Sequence, residues 1–257
     1  MSQFKIATWN VNSLRVRLPH VEDWLKRNQP DVLALQETKL PDADFPIEAF
    51  HALGYEVVFS GQRTYNGVAI ISRGKMTDVM TDIPLLQDPQ RRVLWAMAGD
   101  ICILNLYVPN GESVESEKYK YKLNWLHHLD LFLRAQLKKH QKIIILGDFN
   151  IAPSDLEVHD PKRWAGHVLC SAPERKAFQE MLVVGFEDCY RKLSPTEKGY
   201  SWWDYRLNAF QRNWGLRIDH ILASSALAKS CTACFIDKGP RALERPSDHT
   251  PVVAVFE

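Results

Sequence analysis

Acidic, amide, phenol and imidazole side chains recur where short apolar runs of this sequence begin or end. Six such places occur, and their polar residues are Asn10, Glu37, Tyr107, Asp148, Asp219 and His249. Any one of them alone is best explained as a turn, because Asn and Asp favour turns and hydrogen-bond the nearby backbone. Six together, with these side-chain types, indicate one site instead, since the ends of strands in a rigid sheet can hold catalytic groups.

The chemistry that such a set could perform depends on the ligands it offers. Carboxylate and amide oxygens suit Mg²⁺ or Mn²⁺ better than zinc, which prefers His and Cys. Asp148 and Asn150 lie two residues apart, so in an extended chain both side chains point to one face. Mg²⁺ held by one or two carboxylates, with phosphate oxygens completing its shell, is a common arrangement in phosphate chemistry. The sequence therefore predicts a metal-assisted reaction at phosphorus.

The secondary structure that must position these residues is a mixture of short strands and helices. Strands are predicted at residues 4–9, 32–36, 56–60, 68–72, 92–98, 101–107, 142–147, 217–223 and 251–256. Helices are predicted at residues 19–28, 46–53 and 119–140, and a fourth begins at the capping box of Ser171 and Glu174 and ends near Gly185. Several strands follow each other directly. This order favours mixed sheets packed as a sandwich with helices outside over a doubly wound parallel sheet.

Composition predicts one globular domain over residues 1–257. Hydrophobic residues make up 46% and charged residues 25% of the chain, which argues against a disordered or fibrous protein. No linker, low-complexity tract or repeat interrupts the sequence. Lys and Arg number 32 against 31 Asp and Glu, so there is no overall basic field. A polyanionic partner would have to be held by local cations or by a metal.

Targeting and redox signals are sparse. The longest apolar runs, such as residues 143–146, fall far short of the roughly 18 residues that a membrane span needs. The N-terminus shows no secretion leader, and five cysteines form an odd, scattered set, so we expect a reducing, cytoplasmic environment without membrane contact. Cys231 and Cys234 form a lone CxxC, which we expect to pack in a strand because no second pair or histidine cluster accompanies it.

The ordered motifs resemble those of the exonuclease III family of DNA-repair nucleases, within the endonuclease/exonuclease/phosphatase superfamily. The strings are TWNVNSLR, LQETK, YVPNGE, ILGDFNIAP, SWWDYR, GLRIDHIL and ERPSDHTPV, and they extend from Asn10 to His249 in family order. The resemblance implies a four-layered α/β sandwich of the deoxyribonuclease I type: two mixed β-sheets packed face to face with helices outside. It also implies dependence on Mg²⁺ or Mn²⁺.

The resemblance also implies roles for individual residues on the metal side of the site. Glu37 matches the metal-binding glutamate, and Asn10 matches the asparagine beside the metal. The residues expected near the ion are Asn10, Glu37, Asp148, Asn150, Asp248 and His249. Asn12 stands where some eukaryotic relatives carry an aspartate, so one metal and two metals both remain open.

Catalytic roles follow from the same resemblance. Asp148 would take the proton from the attacking water, and Asn150 would orient that water or stabilise the transition state. Asp219 would orient His249 and keep it protonated, so that the imidazolium stabilises charge on the phosphorane. Tyr107 would donate to a phosphate oxygen, or as a phenolate act as nucleophile or base. His220 completes a second Asp-His dipeptide, and we expect it to pack in the core.

The substrate implied by the resemblance is double-stranded DNA with abasic sites, nicks or blocked 3′ ends. Trp202 would line a pocket for a sugar without a base, and Asn110 would contact a phosphate. Arginines near the motif loops, among them Arg91 and Arg217, could grip phosphates, as could the alternating residues 118–122 unless that run is a solvated helix face.

The implied enzyme is a monomeric, cytoplasmic nuclease acting on nucleoid DNA. Its activities would be 3′-to-5′ exonuclease, 3′-end cleaning and incision at abasic sites. Two alternatives remain at this stage: a non-enzymatic nucleic-acid-binding regulator on the same fold, and a phosphatase of another branch that acts on lipid or inositol head groups.

Overall fold

Twelve strands and seven α-helices are present in residues 3–257, the part of the chain that the computed structural model describes. The strands are β1 (Phe4–Asn10), β2 (Val32–Gln36), β3 (Glu56–Ser60), β4 (Val68–Ser72), β5 (Met76–Met80), β6 (Val93–Ala98), β7 (Ile101–Tyr107), β8 (Ile143–Asp148), β9 (Phe186–Asp188), β10 (Asp219–Ser224), β11 (Cys231–Ile236) and β12 (Val252–Phe256). The helices are α1 (Leu14–Asn28), α2 (Ile47–His51), α3 (Glu117–Leu137), α4 (Pro161–Trp164), α5 (Ala172–Val184), α6 (Cys189–Leu193) and α7 (Ser225–Ala228).

The strands form two six-stranded sheets. The first has the order β11-β12-β1-β2-β4-β3 and the second the order β5-β6-β7-β8-β10-β9. In each sheet one central pair is parallel, β1 with β2 and β7 with β8, and the other pairs are antiparallel. Both sheets are therefore mixed, as the direct succession of strands in the sequence predicts.

Three apolar layers hold the sheets and helices together. Alternate residues of both sheets, such as Ile6, Ile70, Ile103 and Ile144, form the layer between the sheets. The other face of the first sheet packs against α1 and α2, and the other face of the second packs against α3 and α5. Central strands such as β2 and β8 are thus buried on both faces, which explains their continuous apolar sequences. The result is the four-layered α/β sandwich.

The two parallel strand pairs bring the polar strand ends together. In the first sheet Asn10 lies opposite Gln36, directly before Glu37. In the second sheet Asp148 lies opposite both Tyr107 and Asp219. Because β1 packs across β8 between the sheets, the two sets of strand ends meet at one end of the sandwich.

Two buried amides join the sheets just below this end. Gln36 Nε2 donates to Asn105 Oδ1 at 2.7 Å, and both residues are fully buried. Asn105 Nδ2 in turn donates to the backbone oxygens of Leu35 and Ala69, each at 2.9 Å. Every hydrogen bond of the Asn105 side chain therefore reaches the opposite sheet. These bonds fix β7 relative to β2, and so fix Tyr107 at the end of β7 relative to Glu37 just after β2.

Most predicted elements are confirmed, with shifts of one to three residues at their ends. The sequence patterns missed the short strands β5 and β9, and identified β11 only through the expected packing of Cys231 and Cys234, both of which are buried there. The prediction that the first helix begins at Pro19 is wrong. That helix begins at Leu14, because the N–H groups of Ser13 and Leu14 donate to the carbonyls that follow β2, at 2.7 and 3.0 Å.

Among the described residues, no helix combines the length and the apolar character that crossing a bilayer requires.

We predict that the buried amide bridge stabilises the fold only as a pair. Asn105→Leu takes one acceptor from the Gln36 amide, which keeps Thr8 Oγ1 at 2.9 Å, and removes the amide that donates to the carbonyls of Leu35 and Ala69. It should lower the free energy of unfolding by about 1–3 kcal/mol, because buried polar groups that lose a hydrogen bond retain their desolvation cost. Adding Gln36→Leu should recover part of that loss. A urea-unfolding double-mutant cycle measures the coupling. Strictly additive costs would show that the two amides do not act together.

Candidate active site

One asparagine amide connects the acids of the two sheets. Asn10 Nδ2 donates to Glu37 Oε1 and to Asp148 Oδ2, each at 2.9 Å. Its Oδ1 accepts the N–H of Asn12 at 3.0 Å, so the amide is held at both ends. Two carboxylates from different sheets therefore face the same point, and Asn10 orients them.

The ring of His249 lies between the carboxylates of Asp219 and Asp148. Its Nδ1 is 2.8 Å from Asp219 Oδ2, and its Nε2 is 3.7 Å from Asp148 Oδ2. Burial disfavours the charged ring, but Asp219 and Asp148 outweigh burial and raise the pKa of His249 to about 10. The imidazole is therefore a cation at neutral pH, and its contact with Asp219 fixes the orientation of the ring.

Asp148 is buried, and the pKa of its carboxyl group lies close to neutral pH. Burial raises its pKa, His249 lowers it and Asp219 raises it, and the outcome is a pKa of about 7. Asn150 donates its backbone N–H to Asp148 Oδ1 at 2.9 Å, which helps to hold the carboxylate. Such a group can exist as a base at neutral pH and still accept a proton.

Asn150 is linked to both neighbouring strand ends. It has a left-handed backbone conformation, with φ of 49°, directly after β8. Its Nδ2 donates to the carbonyl of Val108 at 3.0 Å, and its Oδ1 accepts from Asn110 Nδ2 at 3.0 Å. Asn110 is itself exposed, so the pair extends from the buried acids to the surface of the cleft.

Tyr107 faces the acids as a neutral phenol. Burial and the nearby charges of Glu37 and Asp148 raise its pKa well above the ordinary value. The guanidinium of Arg92 lies over its ring, 4.7 Å from the centroid. This environment favours the interpretation of Tyr107 as a hydrogen-bond donor over its action as a phenolate.

The donor set fits a hard cation on the Glu37 side of the cleft. Lys39 Nζ lies 2.8 Å from Glu37 Oε2, and despite burial, Lys39 and Asn10 hold the pKa of Glu37 below its ordinary value. Glu37 is thus an ionised oxygen ligand beside Asp148. Single ligand atoms of Asp148, Asp219 and His249 also lie within 4.8 Å of one another, a cluster that could hold a metal ion. A protonated imidazole has no free lone pair, however, which favours Glu37 as the first ligand.

Asp248 lies at the edge of this group. Its Oδ1 accepts from Asn12 Nδ2 and its Oδ2 from Trp202 Nε1, each at 3.0 Å. Asn12 also accepts from Lys39 Nζ at 2.5 Å. Asp248 therefore connects the Glu37 side of the cleft with Trp202, and its role as a metal ligand stays a prediction.

Trp202 borders an aromatic cavity next to the acids. The cavity has a volume of about 230 Å³, and its aromatic walls are Trp164, Trp202 and Trp214. Trp202 is half-buried, not a core residue, and forms an isolated β-bridge with His249. A planar apolar wall thus lies beside the reacting groups.

The proposed contact of Arg217 with phosphate is wrong. Its side chain is 1% exposed and donates to Glu157 and Asp188, with N–O distances of 2.6 and 2.7 Å. A buried guanidinium satisfied by two carboxylates cannot reach DNA, and the motif GLRIDH therefore contributes Asp219 but not its arginine.

Arg91 does reach the surface, where it lies 3.9 Å from Asp82, and its contact with DNA stays a prediction. The neighbouring Arg92, which belongs to the same predicted group of arginines near the motif loops, lies over the ring of Tyr107. His220 packs as expected: it is fully buried against Phe149 and Phe178, and burial lowers its pKa to about 4.

The alternating run at residues 118–122 divides between surface and interior. Lys118 and Lys120 are exposed and pair with Glu112 and Glu117. Lys122 is fully buried and pairs with Glu174. Neither a phosphate grip nor a solvated face describes the whole run, because a helix turns its residues to different sides.

We predict that Arg217 contributes to stability and that its contribution depends on pH. Against the effect of burial, Arg217 lowers the pKa values of Glu157 and Asp188. The paired carboxylates therefore stabilise the fold at neutral pH, and that stabilisation is lost as the pH falls through their lowered values. Arg217→Met should cost about 3–5 kcal/mol at neutral pH, because the buried Asp188 loses its arginine partner and Glu157 keeps only Arg191.

The stability cost of Arg217→Met should become smaller near pH 4, about the ordinary pKa of a carboxyl group. At that pH the carboxyl groups that lost Arg217 take up protons. Thermal unfolding at the two pH values checks this. Arg27→Met, which breaks an exposed ion pair with Asp23, should cost under about 1 kcal/mol at either pH. A deficit for Arg217→Met that is as small, or independent of pH, would contradict the assignment.

Comparison with known proteins identifies the family. The model of the Endonuclease/Exonuclease/phosphatase family matches residues 7–249. The chain belongs to this family. It is similar to exodeoxyribonuclease III of Haemophilus influenzae, with 39% identity over 98% of this chain and 100% of that protein.

Solved structures of the family superpose closely on the whole chain. The 3′ phosphatase NExo from Neisseria, bound to a product DNA hairpin, has a TM-score of 0.98 and 48% identity over 99% of each chain. An AP endonuclease from Archaeoglobus fulgidus has a TM-score of 0.95 and 42% identity over 99% of each chain. The four-layered sandwich is thus the fold of this family's DNA-processing enzymes.

Proposed function

We propose that this protein is a divalent-metal-dependent DNA-repair nuclease, with 3′-to-5′ exonuclease, 3′-end-cleaning and abasic-site-incising activity on double-stranded DNA. The observation that carries the proposal is the contact of Asp148 with His249: a carboxylate with a pKa of about 7 lies 3.7 Å from a ring nitrogen of a stable imidazolium. A base and a cationic donor side by side are what hydrolysis of a phosphate ester requires.

Asp148 is the general base of this proposal. Its pKa near 7 allows the carboxylate to accept a proton from water at neutral pH. Asn150, bonded to Asp148 and to the Val108 carbonyl, is placed to orient that water. Asn10 keeps the carboxylate of Asp148 turned towards Glu37.

His249 and Tyr107 are the donors to the phosphate group. The imidazolium, fixed by Asp219 at 2.8 Å, can stabilise negative charge that develops on a phosphate oxygen. Tyr107 retains its proton and can donate a second hydrogen bond from the other side of Asp148. The two donors lie on different sheets and so define opposite sides of the cleft.

Glu37 would hold the metal, with Asn10 and Asp148 beside it. A bound Mg²⁺ or Mn²⁺ supplies Lewis-acid polarisation of the phosphate and neutralises charge. Asn12 stands next to this position as an amide rather than a carboxylate, and it is already bonded to Asp248 and Lys39. These contacts support a single metal.

The cleft suits a DNA strand with one sugar turned into the aromatic cavity. Trp202 and its aromatic neighbours offer an apolar wall to a deoxyribose, and exposed Asn110 offers an amide to a phosphate. The names of the similar proteins include exodeoxyribonuclease III, a 3′ phosphatase with product DNA and an AP endonuclease, which supports DNA as the substrate. A monomeric, single-domain enzyme in the cytoplasm, acting on nucleoid DNA, completes the proposal.

The two alternative functions are disfavoured by the same observations. A regulator that only binds nucleic acid has no need of an acid–imidazolium pair with shifted pKa values. A phosphatase for lipid or inositol head groups is disfavoured by the similarity of the whole chain to enzymes named for DNA chemistry.

We predict that Asp148→Asn lowers kcat by about 10²–10⁴ on a nicked duplex with a 3′-phosphate, because a general base is lost. The asparagine keeps the size and most hydrogen bonds of the site, so thermal unfolding should show an intact fold. Asp100→Asn removes an exposed carboxylate that pairs with Lys142, and it should leave kcat unchanged.

Chelation should abolish turnover by the wild type, and titrated Mg²⁺ or Mn²⁺ should restore it. Duplex binding without metal-dependent turnover would favour the regulator. Turnover of lipid or inositol head groups, with none of abasic DNA, would select the other phosphatase branch.

We predict that Trp202 contributes to incision at abasic sites but not to removal of a 3′-phosphate. Exonuclease and abasic-site substrates carry a sugar on the 3′ side of the scissile phosphate, whereas a 3′-phosphate end does not. Trp202→Ala should lower incision at an abasic site by about 10–200-fold, the value of a pocket contact of 1–3 kcal/mol, and largely spare 3′-phosphate removal. Trp202→Phe keeps the wall, loses the bond to Asp248 and serves as the control. Equal losses on both substrates would contradict a sugar pocket at Trp202.

A further inference from the structure

A buried ammonium contacts the backbone of two predicted site residues from outside the cleft. Lys122 of α3 is fully buried, and its Nζ donates to the carbonyl of Asn150 at 2.7 Å and to the carbonyl of Asn110 at 3.1 Å. Its third contact is Glu174 Oε1 at 2.5 Å. An ammonium has three donors, so all of them are used. None of these contacts involves a group that would touch the substrate.

The backbone that Lys122 holds is unusual. Asn150 has a left-handed conformation, which costs most residues about 1–2 kcal/mol but which asparagine adopts more readily, and its carbonyl turns into the protein interior. A buried carbonyl must find a donor. Asn110 follows a different strand, β7, and its side chain also bonds Asn150 at 3.0 Å. The two loops are therefore linked twice, once directly and once through Lys122.

Glu174 fixes the position of the ammonium. It is the third residue of α5 and forms a capping box with Ser171, whose backbone N–H it accepts at 3.0 Å. It also accepts the N–H of Leu169 at 3.0 Å. Both Lys122 and Glu174 are thus held by rigid helices on the outer side of the second sheet. The position of the Asn150 carbonyl is set by this frame.

We propose that Lys122 is a positioning residue for catalysis: through the carbonyls of Asn150 and Asn110 it sets where their amide side chains stand relative to Asp148. This proposal deepens the proposed function and rests on it. Displacement of a reacting or orienting group by about 1 Å can cost 10²-fold in rate, so a change far from the phosphate can slow the reaction.

If the ion pair of Lys122 and Glu174 only stabilised the fold, a variant that replaces both charged residues by neutral ones and regains stability should also regain kcat. Lys122→Met alone leaves Glu174 buried without its partner and should destabilise the protein. Lys122→Met combined with Glu174→Gln removes both charges; the glutamine oxygen can keep the capping box, while its NH2 group replaces the oxygen that accepts from Leu169. The double variant should therefore regain part of the stability, but it offers no ammonium to the two carbonyls.

The experiment measures melting temperature, kcat and KM on a nicked duplex with a 3′-phosphate, in saturating Mg²⁺. We expect both Lys122→Met and the double variant to show kcat lowered by about 10–100-fold, with KM changed by a smaller factor. Leu133→Ala, a core substitution in the same helix, is the matched control. It should lower the melting temperature and leave kcat unchanged.

Recovery of kcat together with melting temperature in the double variant would overturn the proposal, as would a kcat of Lys122→Met equal to that of the wild type. The wild type is measured first on the same substrate. If it shows no turnover, the proposed function fails; if it turns over and both Lys122 variants keep the kcat of the wild type, only the role of Lys122 fails.

Discussion

Buried negative charge at one end of the sandwich is the constraint on which the site depends. Glu37, Asp148 and Asp219 converge there, and they form ion pairs with the imidazolium of His249 and the ammonium of Lys39. Buried carboxylates repel one another and lose hydration. The imidazole of His249 therefore stays protonated, and the pKa of Asp148 is raised to about 7. A hard divalent cation beside Glu37 would relieve the same excess. The proposed metal site, the proposed base and the proposed cationic donor thus share one electrostatic origin.

The fold concentrates this charge by placing strand ends from two sheets against each other. Each sheet contributes a parallel pair, β1–β2 and β7–β8, whose ends carry the acids, and the inter-sheet core aligns the pairs. Gln36 and Asn105 fix the alignment with buried hydrogen bonds just behind the site. Loops alone could not hold carboxylates this close, since their repulsion would push mobile segments apart. The rigid layers supply the free energy that opposes the repulsion.

The strands and the convergence of the acids could be predicted because both follow from local pattern. Apolar runs identify buried strands, and polar residues at their ends identify the edge at which they meet. The position of Arg217 could not be predicted in this way. Its place near a motif aspartate suggests a cation that binds phosphate. Its buried partners become visible only where β9 and residue 157 pack against β10. Lys122 was interpreted as part of a phosphate grip or a solvated helix face for the same reason, because its three acceptors come from distant parts of the chain. The early start of α1 likewise depends on hydrogen bonds to the loop after β2.

The most direct test of the account is the position of a bound ion. Crystals soaked in Mn²⁺ and measured at a wavelength that reveals anomalous scattering would locate it without reference to activity. We predict a peak coordinated by a Glu37 carboxylate oxygen, with His249 still bonded to Asp219 and free of the metal. An ion coordinated by the His249 ring, with none at Glu37, would contradict the division of the site into a metal side and an imidazolium side.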